Sequence, residues 1–207
     1  MVELENLESL KEMGDNSASI VMESLSEMLC MAVEMDVSAV HVDTIKSIPD
    51  ILKLPGDVMV GAYVGFSGKL SGTVLTILSI ESAREMADIM LAGMDEDDPM
   101  DYLTEMQESA ILEIGNILTS PFIDVMADAL SLELTQSPPA IACDPLSSLI
   151  SQSMDRANES DLAIVFNSAL HVVDQNINCN ILMLPDPDNV ETMIHDIGSL
   201  QSTSEDS

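Results

Sequence analysis

Basic residues are scarce in this chain. Of its 207 residues only 6 are Lys or Arg, against 37 that are Asp or Glu, and the formal net charge is −31. Nucleic acids and anionic membranes attract proteins mainly through clustered Lys and Arg side chains. The composition therefore excludes a protein that binds nucleic acid or an anionic membrane surface through a basic patch.

The excess of acid has two interpretations. A chain with high net charge and little apolar content stays disordered, whereas a globular protein from a cell that holds molar salt carries an acidic, solvated surface. The hydrophobic fraction of 46% supplies ample core material and favours the globular interpretation. We expect a halophilic protein whose charges are screened, because the Debye length is about 3 Å at ~1 M salt.

Aromatic and cysteine residues are also few. Aromatics make up 2% of the chain, with no Trp, so the core must consist of Leu, Ile, Val, Ala and the 16 Met. The 3 cysteines include no CxxC pair and are odd in number, which argues against a disulfide framework or a zinc site and fits a reduced compartment. No metal ligand set is predicted.

We expect no signal peptide and no membrane span in this chain. The N-terminus, Met1–Glu8, is acidic, whereas a signal peptide begins with basic residues. No apolar run approaches the roughly 18 residues that a membrane span needs. We therefore expect a cytoplasmic protein that does not enter the membrane.

A stripe of polar residues is the most informative feature that the chain does contain. Ser109, Glu113 and Asn116 are three or four residues apart, so a helix places them on one face. Apolar residues of the same segment point elsewhere and can form a buried stripe, namely Ala110, Ile111, Ile114, Ile117 and Leu118. Exposed polar faces are usually only solvated, so the stripe alone does not establish a site.

Gly115, next to Asn116, adds to this pattern. Gly inside a helix costs about 1 kcal/mol relative to Ala and often marks the close approach of another backbone. That backbone could belong to a partner or to a sheet of the same chain.

The two halves of the chain resemble each other. Leu10–Asp15 aligns with Ile111–Asn116 without gaps, and at the same offset Ser19 meets Ser120. In each half the periodicity predicts a long amphipathic helix, then strands, then a shorter helix. The predicted helices are roughly 4–31, 81–91, 102–130 and 189–197, with a further candidate at 145–160. The predicted strands are roughly 33–42, 57–66, 68–79, 133–141, 161–174 and 178–184.

This order of elements predicts an α+β fold: a duplicated unit with pseudo-two-fold symmetry, whose long antiparallel sheet is packed with helices. Residues 1–198 are expected to form one domain of two repeats, about 1–94 and 100–198, joined by the acidic connector Asp95–Pro99. The Ser- and acid-rich tail, 199–207, is expected to be disordered.

The chain resembles the CheC-type members of the CheC/CheX/FliY group of chemotaxis phosphatases. The signature of that group is Asp or Ser, three residues, Glu, two residues, Asn, about twenty-one residues and Pro. Ser109, Glu113, Asn116 and Pro138 satisfy it in full. The glycine-bearing hairpin around Gly68 also looks like the family, and the resemblance extends to about residue 198.

The resemblance implies the CheC fold and hydrolysis of the aspartyl phosphate of a CheY-type response regulator. The receiver domain supplies Mg²⁺ and a Lys, so no cofactor of the protein's own is implied. An amide suits the missing task of holding a water in line, because its carbonyl accepts while its NH₂ donates. Asn116 would position the water and Glu113 would pair with the receiver's Lys. Ser109 would support docking, and Pro138 would shape the nearby backbone.

The first half departs from the signature. Glu8, Glu12 and Asp15 stand where the second half has Ser109, Glu113 and Asn116, and the Pro has no counterpart. An ionised Asp15 only accepts hydrogen bonds and repels an anionic phosphoryl group. We therefore predict a degenerate first site that is inactive or weak. The alternative is that Asp15 acts as a base for the water.

Three functions remain open. The first is a phosphatase acting on a phosphorylated CheY-type receiver protein. The second is a non-catalytic CheC-like adaptor that binds CheD or phosphorylated CheY. The intact Glu113 and Asn116 favour the enzyme, whereas the degenerate first copy keeps the adaptor open. A component of the flagellar motor switch is a third hypothesis, since that group shares the fold.

The charge imbalance generates the first testable prediction. We expect the fold to loosen in dilute buffer, because repulsion among the acidic side chains is then unscreened. Helical circular dichroism should fall as KCl is lowered from molar to millimolar concentrations. A titration with sucrose in place of KCl separates screening from general solvent exclusion. An unchanged spectrum across the KCl series would contradict the prediction.

Overall fold

Each half of the chain begins with a long helix and continues with strands. The computed structural model describes residues 4–52, 58–92, 102–153, 161–172, 175–190, 192–193 and 196–197. The first half contains α1 (Leu4–Leu29), β1 (Val33–Thr44), a 3₁₀ turn (Ile45–Ser47), α2 (Ile48–Leu52), β2 (Met59–Gly68), β3 (Gly72–Ser79) and α3 (Ile80–Leu91). The second half contains α4 (Glu105–Ala129), β4 (Leu134–Gln136), β5 (Ala140–Asp144), α5 (Leu146–Ser153), β6 (Leu162–Val172) and β7 (Gln175–Pro185).

The strands form one antiparallel sheet. Its 7 described strands run in the order β1-β6-β7-β3-β2, with β4 and β5 both paired to the far side of β2. The order is symmetric between the two halves of the chain. The strand β1 corresponds to β4 and β5 together, β2 corresponds to β6, and β3 corresponds to β7, so exchanging these strands gives the same order read from the other edge. The pseudo-two-fold axis therefore passes between β3 and β7. The predicted α+β fold with a long antiparallel sheet is confirmed.

Helices cover both faces of the sheet. The long helices α1 and α4 lie against each other on one face and enclose the larger core cluster, which includes Leu10, Ile111 and Phe166. The short helices α2 and α5 cover part of the other face around a smaller cluster. Alternate residues of β3 serve the two clusters, because successive strand side chains point to opposite faces.

The ends of α4 are fixed by local hydrogen bonds. Thr104 and Gln107 form a reciprocal capping box, in which each side chain accepts from the other residue's backbone N–H. The Gln107 amide also donates to Asp88 of α3 at 3.1 Å. After the C-terminal end, Ser131 has a left-handed φ of 52°, and Cys30 has a φ of 53° after α1. The two long helices thus end in the same way.

Gly115 brings α4 into direct contact with the sheet. A Cβ built on Gly115 would lie only 2.3 Å from the Cβ of Ala62 on β2, and Gly115 is buried. The intramolecular explanation of this glycine is therefore the one that the structure supports. Gly14 has the same place on α1, where a Cβ would lie 3.0 Å from the Phe166 ring on β6.

Residues 133–141, predicted as one strand, form two. β4 ends at Gln136 and β5 begins at Ala140. Pro138 and Pro139 lie between them and have no N–H to donate to a sheet ladder, so the strand is interrupted there. The prediction of a single strand was wrong, and the proline pair is its physical reason.

Other predicted elements agree with the structure to within four residues at each end. The 3₁₀ turn and α2 were not predicted, although Pro49 is well tolerated in the first turn of a helix. The helix candidate at 145–160 is observed as α5, and 154–160 lie outside the described residues. Helical residues at 190, 192–193 and 196–197 agree with the predicted last helix. The connector Asp95–Pro99 and the tail 199–207 also lie outside the described part of the chain.

We expected no segment as long and apolar as a membrane span, and α4 departs from that expectation. Among the described residues, α4 is the one helix long and apolar enough to cross a membrane by length and composition. Of its most apolar 18-residue window, 56% is buried inside the protein. The packing of α4 on the sheet is a sufficient physical reason for its apolar side chains.

The contact at Gly115 generates a stability prediction. Gly115→Ala should lower the free energy of unfolding by roughly 2 kcal/mol. Overpacking costs about 1–3 kcal/mol, and two Cβ atoms 2.3 Å apart place this site at the upper end. The gain of about 1 kcal/mol in helix propensity offsets only part of that cost. Denaturation in urea at molar KCl measures the change.

Two further variants make this test specific. Gly14→Ala is the matched control and should cost less, because its nearest contact is a ring carbon at 3.0 Å. Combining Gly115→Ala with Ala62→Gly should recover stability relative to the sum of the single effects, since one Cβ replaces the other. Strict additivity of the two substitutions would refute the proposed contact.

Candidate functional site

The polar stripe lies on the outer face of α4. Ser109 and Glu113 are exposed, and Asn116 is half-buried. Most of the expected apolar partners point inward, since Ala110, Ile111, Ile114 and Leu118 are buried. Ile117 was expected among them but is only half-buried. It lies on one side of the stripe, at the border between the core and the solvent.

Ser120 extends the stripe by one turn. Its hydroxyl donates a hydrogen bond to the side-chain oxygen of Asn116, with an Oγ to Oδ1 distance of 3.2 Å. The spacing of four residues places the two side chains next to each other on the helix. The sequence places Ser120 four residues after Asn116, at the next position of the same stripe, but no role was predicted for it.

The other two stripe residues differ in their surroundings. Within the described part of the chain, the carboxylate of Glu113 makes no hydrogen bond or ion pair, and it faces solvent. The Ser109 hydroxyl donates to the backbone oxygen of Glu105 at 2.9 Å, so it is turned toward its own helix. Glu113 is thus available for a partner, whereas Ser109 can accept a hydrogen bond as it stands but must release the Glu105 oxygen before it donates one.

Pro138 does not lie on α4. It occupies the exposed connection between β4 and β5, where its carbonyl oxygen accepts from the Ser137 hydroxyl at 3.0 Å. The connection is tied to β2 because the Ser137 N–H donates to the Gly65 oxygen at 2.8 Å. Pro138 therefore belongs to the edge of the sheet.

A side-chain bond joins that edge to α4. The Gln136 amide donates to Asp124 at 2.6 Å. Partial burial raises the pKa of Asp124, and the hydrogen bond from Gln136 opposes that rise. The two-residue contact fixes the sheet edge relative to α4 two turns beyond Asn116.

The first copy presents different chemistry on α1. Glu8, Glu12 and Asp15 are all exposed. Asp15 forms an ion pair with Lys11, one turn earlier, and both side chains are well exposed. The Ser19 hydroxyl donates to the backbone oxygen of Asp15 at 3.0 Å and not to the Asp15 carboxylate. The two copies therefore share a helix position but not a side-chain arrangement.

The surroundings of the stripe contain a groove but no cluster of metal ligands. Among the described residues, no three His, Cys, Asp or Glu side chains are grouped so that they could hold a metal ion. The absence of a metal of its own stays a prediction. A groove of about 390 Å³ opens between α3 and α4, lined by Met90, Leu91, Glu105, Met106, Ser109 and Ala110.

Sequence comparisons show which proteins this chain resembles. The CheC-like family matches residues 106–142, which cover α4 from its second residue onward and the connection with Pro138. A protein of Halobacterium salinarum, provisionally named CheY-P phosphatase CheC1, is 29% identical over 197 residues, covering 95% of this chain and 98% of the relative. The CheY-P phosphatase CheC of Bacillus subtilis is 24% identical over 200 residues, covering 94% and 95%.

Solved structures share the fold of this chain. FliY of Thermotoga maritima superposes with a TM-score of 0.76 at 17% identity, covering 97% of this chain and 99% of that one. The CheX–CheY–BeF₃–Mg²⁺ complex of Borrelia burgdorferi matches with a TM-score of 0.53 at 21% identity, covering 84% and 96%. These likenesses concern the fold. Together with the sequence matches they confirm the resemblance of this chain to CheC-type proteins.

Proposed function

We propose that this protein is a phosphatase that hydrolyses the aspartyl phosphate of a CheY-type response regulator. Two sequence relatives that span almost the whole chain are named CheY-P phosphatases. The observation that carries the proposal is the pair Glu113 and Asn116 on the outer face of α4, with the amide hydrogen-bonded on one side by Ser120.

In this proposal Asn116 positions the attacking water. Its side-chain oxygen has two lone pairs, of which Ser120 uses one. The second lone pair accepts from the water, and the amide NH₂ donates elsewhere, to an oxygen of the phosphoryl group. Phosphoryl transfer needs little more from the protein than such positioning and charge stabilisation.

Glu113 docks the receiver. Its carboxylate, exposed one turn before Asn116, pairs with a cationic side chain of the partner, and we assign that role to the receiver's Lys. The Mg²⁺ that balances the phosphoryl charge comes with the substrate. Ser109 supports docking through its exposed hydroxyl, which can accept from the partner while it donates to the Glu105 oxygen, and Pro138 holds the nearby sheet edge in shape.

The first site is inactive or weak under this proposal. The Asp15 carboxylate cannot donate a hydrogen bond, and its negative charge opposes a phosphoryl group. Lys11 neutralises part of that charge but also occupies the carboxylate. A cytoplasmic location, a halophilic habitat and the binding of CheD stay predictions.

The proposal is tested by the decay of phosphorylated CheY from the same cell in molar KCl. Wild-type protein should speed the decay, and Asn116→Ala should lower that rate on the order of 100-fold, as expected when a positioning group in phosphoryl transfer is lost. Glu113→Ala should weaken binding and raise the receiver concentration needed. Asp15→Ala, the matched variant on α1, should leave the rate unchanged.

Other outcomes decide between the alternatives. If wild type binds phosphorylated CheY or CheD and leaves the decay unaltered, the adaptor hypothesis takes over. If turnover survives Asn116→Ala and disappears when Asp15→Ala is added, Asp15 is acting as a base.

A gain-of-function variant tests whether the Asp15 carboxylate is the reason for the predicted inactivity of the first site. In the Asn116→Ala background, Asp15→Asn should restore a measurable part of the activity, because Glu12 and Ser19 already stand at the matching positions of α1. Asp50→Asn on α2 removes the same charge elsewhere and serves as control. A double variant no more active than Asn116→Ala would mean that the carboxylate is not what disables this copy.

A further inference from the structure

We propose that Ser120 is a positioning residue that holds the Asn116 amide in its working orientation. The inference rests on the proposed phosphatase function and deepens it. Its basis is the hydrogen bond from the Ser120 hydroxyl to the Asn116 side-chain oxygen at 3.2 Å. Both side chains are half-buried, so this bond forms at the border between solvent and core.

The hydroxyl of Ser120 behaves differently from comparable hydroxyls in this protein. A Ser or Thr inside a helix commonly donates to the backbone oxygen four residues earlier. Five described helical residues do so at 2.8–3.0 Å: Ser17, Ser19, Ser109, Thr119 and Ser151. Ser120 instead donates to the side chain of the residue four positions earlier. A purely structural role would be met by the usual backbone bond.

The pseudo-symmetric residue supplies an internal comparison. Ser19 stands at the matching position of α1, yet it donates to the backbone oxygen of Asp15. The Asp15 side chain pairs with Lys11 instead. The side-chain bond is therefore found in the copy that carries the amide and not in the copy that carries the carboxylate.

The bond has a direct consequence for the amide. The last torsion of an Asn side chain has a broad energy well, so an unsupported amide rotates readily. A donor on the oxygen fixes which way the carbonyl and the NH₂ point and leaves the second lone pair for the water. Small errors in such positioning are costly for reactions that depend on alignment.

The kinetic test uses Ser120→Ala, with Ser19→Ala as the matched control. We expect Ser120→Ala to lower kcat for decay of phosphorylated CheY about 3- to 10-fold, roughly what one neutral hydrogen bond contributes. KM should stay unchanged, because docking through Glu113 is untouched, and Ser19→Ala should leave both unchanged. In the Asn116→Ala background, Ser120→Ala should have no further effect. An equal loss in both backgrounds would overturn the inference.

A spectroscopic test does not depend on activity. The NMR order parameter of the Asn116 side-chain NH₂ should fall in Ser120→Ala and stay constant in Ser19→Ala. An unchanged order parameter overturns the positioning role whether or not the protein is a phosphatase. If wild type fails to speed the decay but the order parameter falls as expected, the proposed function fails while the assigned contact stands.

Discussion

The close approach of α4 to β2 at Gly115 determines where the polar stripe points. With Gly115 buried against Ala62, the helix can be rotated about its axis by very little. A shift of one residue turns each side chain by about 100°, which would carry Glu113 toward the core and expose an apolar residue. The orientation of Glu113 and Asn116 toward solvent is therefore a consequence of packing on the opposite side of the helix.

The internal repeat gives α1 and α4 equivalent places in the fold, although only α4 carries the signature. The core-facing side of α1 still buries Leu10, Val21 and Leu25, and Gly14 still faces the sheet. The exposed side of α1 contributes little to stability, because its Lys11–Asp15 pair is a surface ion pair. Folding thus constrains the buried face of both helices, and only a function constrains the outer face.

Much of the fold follows from patterns in the sequence, for reasons visible in particular residues. The long helices have apolar stripes whose members, such as Ile111, Ile114 and Leu118, are fully buried. The internal alignment of Gly14 with Gly115 anticipated the two-fold arrangement of helices on one sheet. The break at Pro138 was missed because the strand prediction followed apolar residues and gave too little weight to the missing N–H groups of two prolines.

The site was only partly accessible from the sequence. Spacing alone places Ser109, Glu113 and Asn116 on one face, because helical geometry is regular. Spacing cannot say which acceptor a serine hydroxyl selects, since a backbone oxygen and a side-chain oxygen lie within reach at the same separation. Ser19 and Ser120 differ in this way, and only the structure shows which acceptor each of them uses.

The acidity of the chain gives these short-range contacts added importance. Under the proposed function the partner is a receiver whose active site is itself rich in carboxylates, so two like-charged surfaces meet and their repulsion slows encounter in dilute buffer. At ~1 M salt the repulsion extends only about 3 Å, and attraction between distant charges is lost with it. Recognition then depends on groups in direct contact, where a neutral amide such as Asn116 adds no charge to repel the phosphoryl group. Under these conditions the orientation of the Asn116 amide matters for recognition, and the neighbouring Ser120 hydroxyl can fix that orientation through its hydrogen bond.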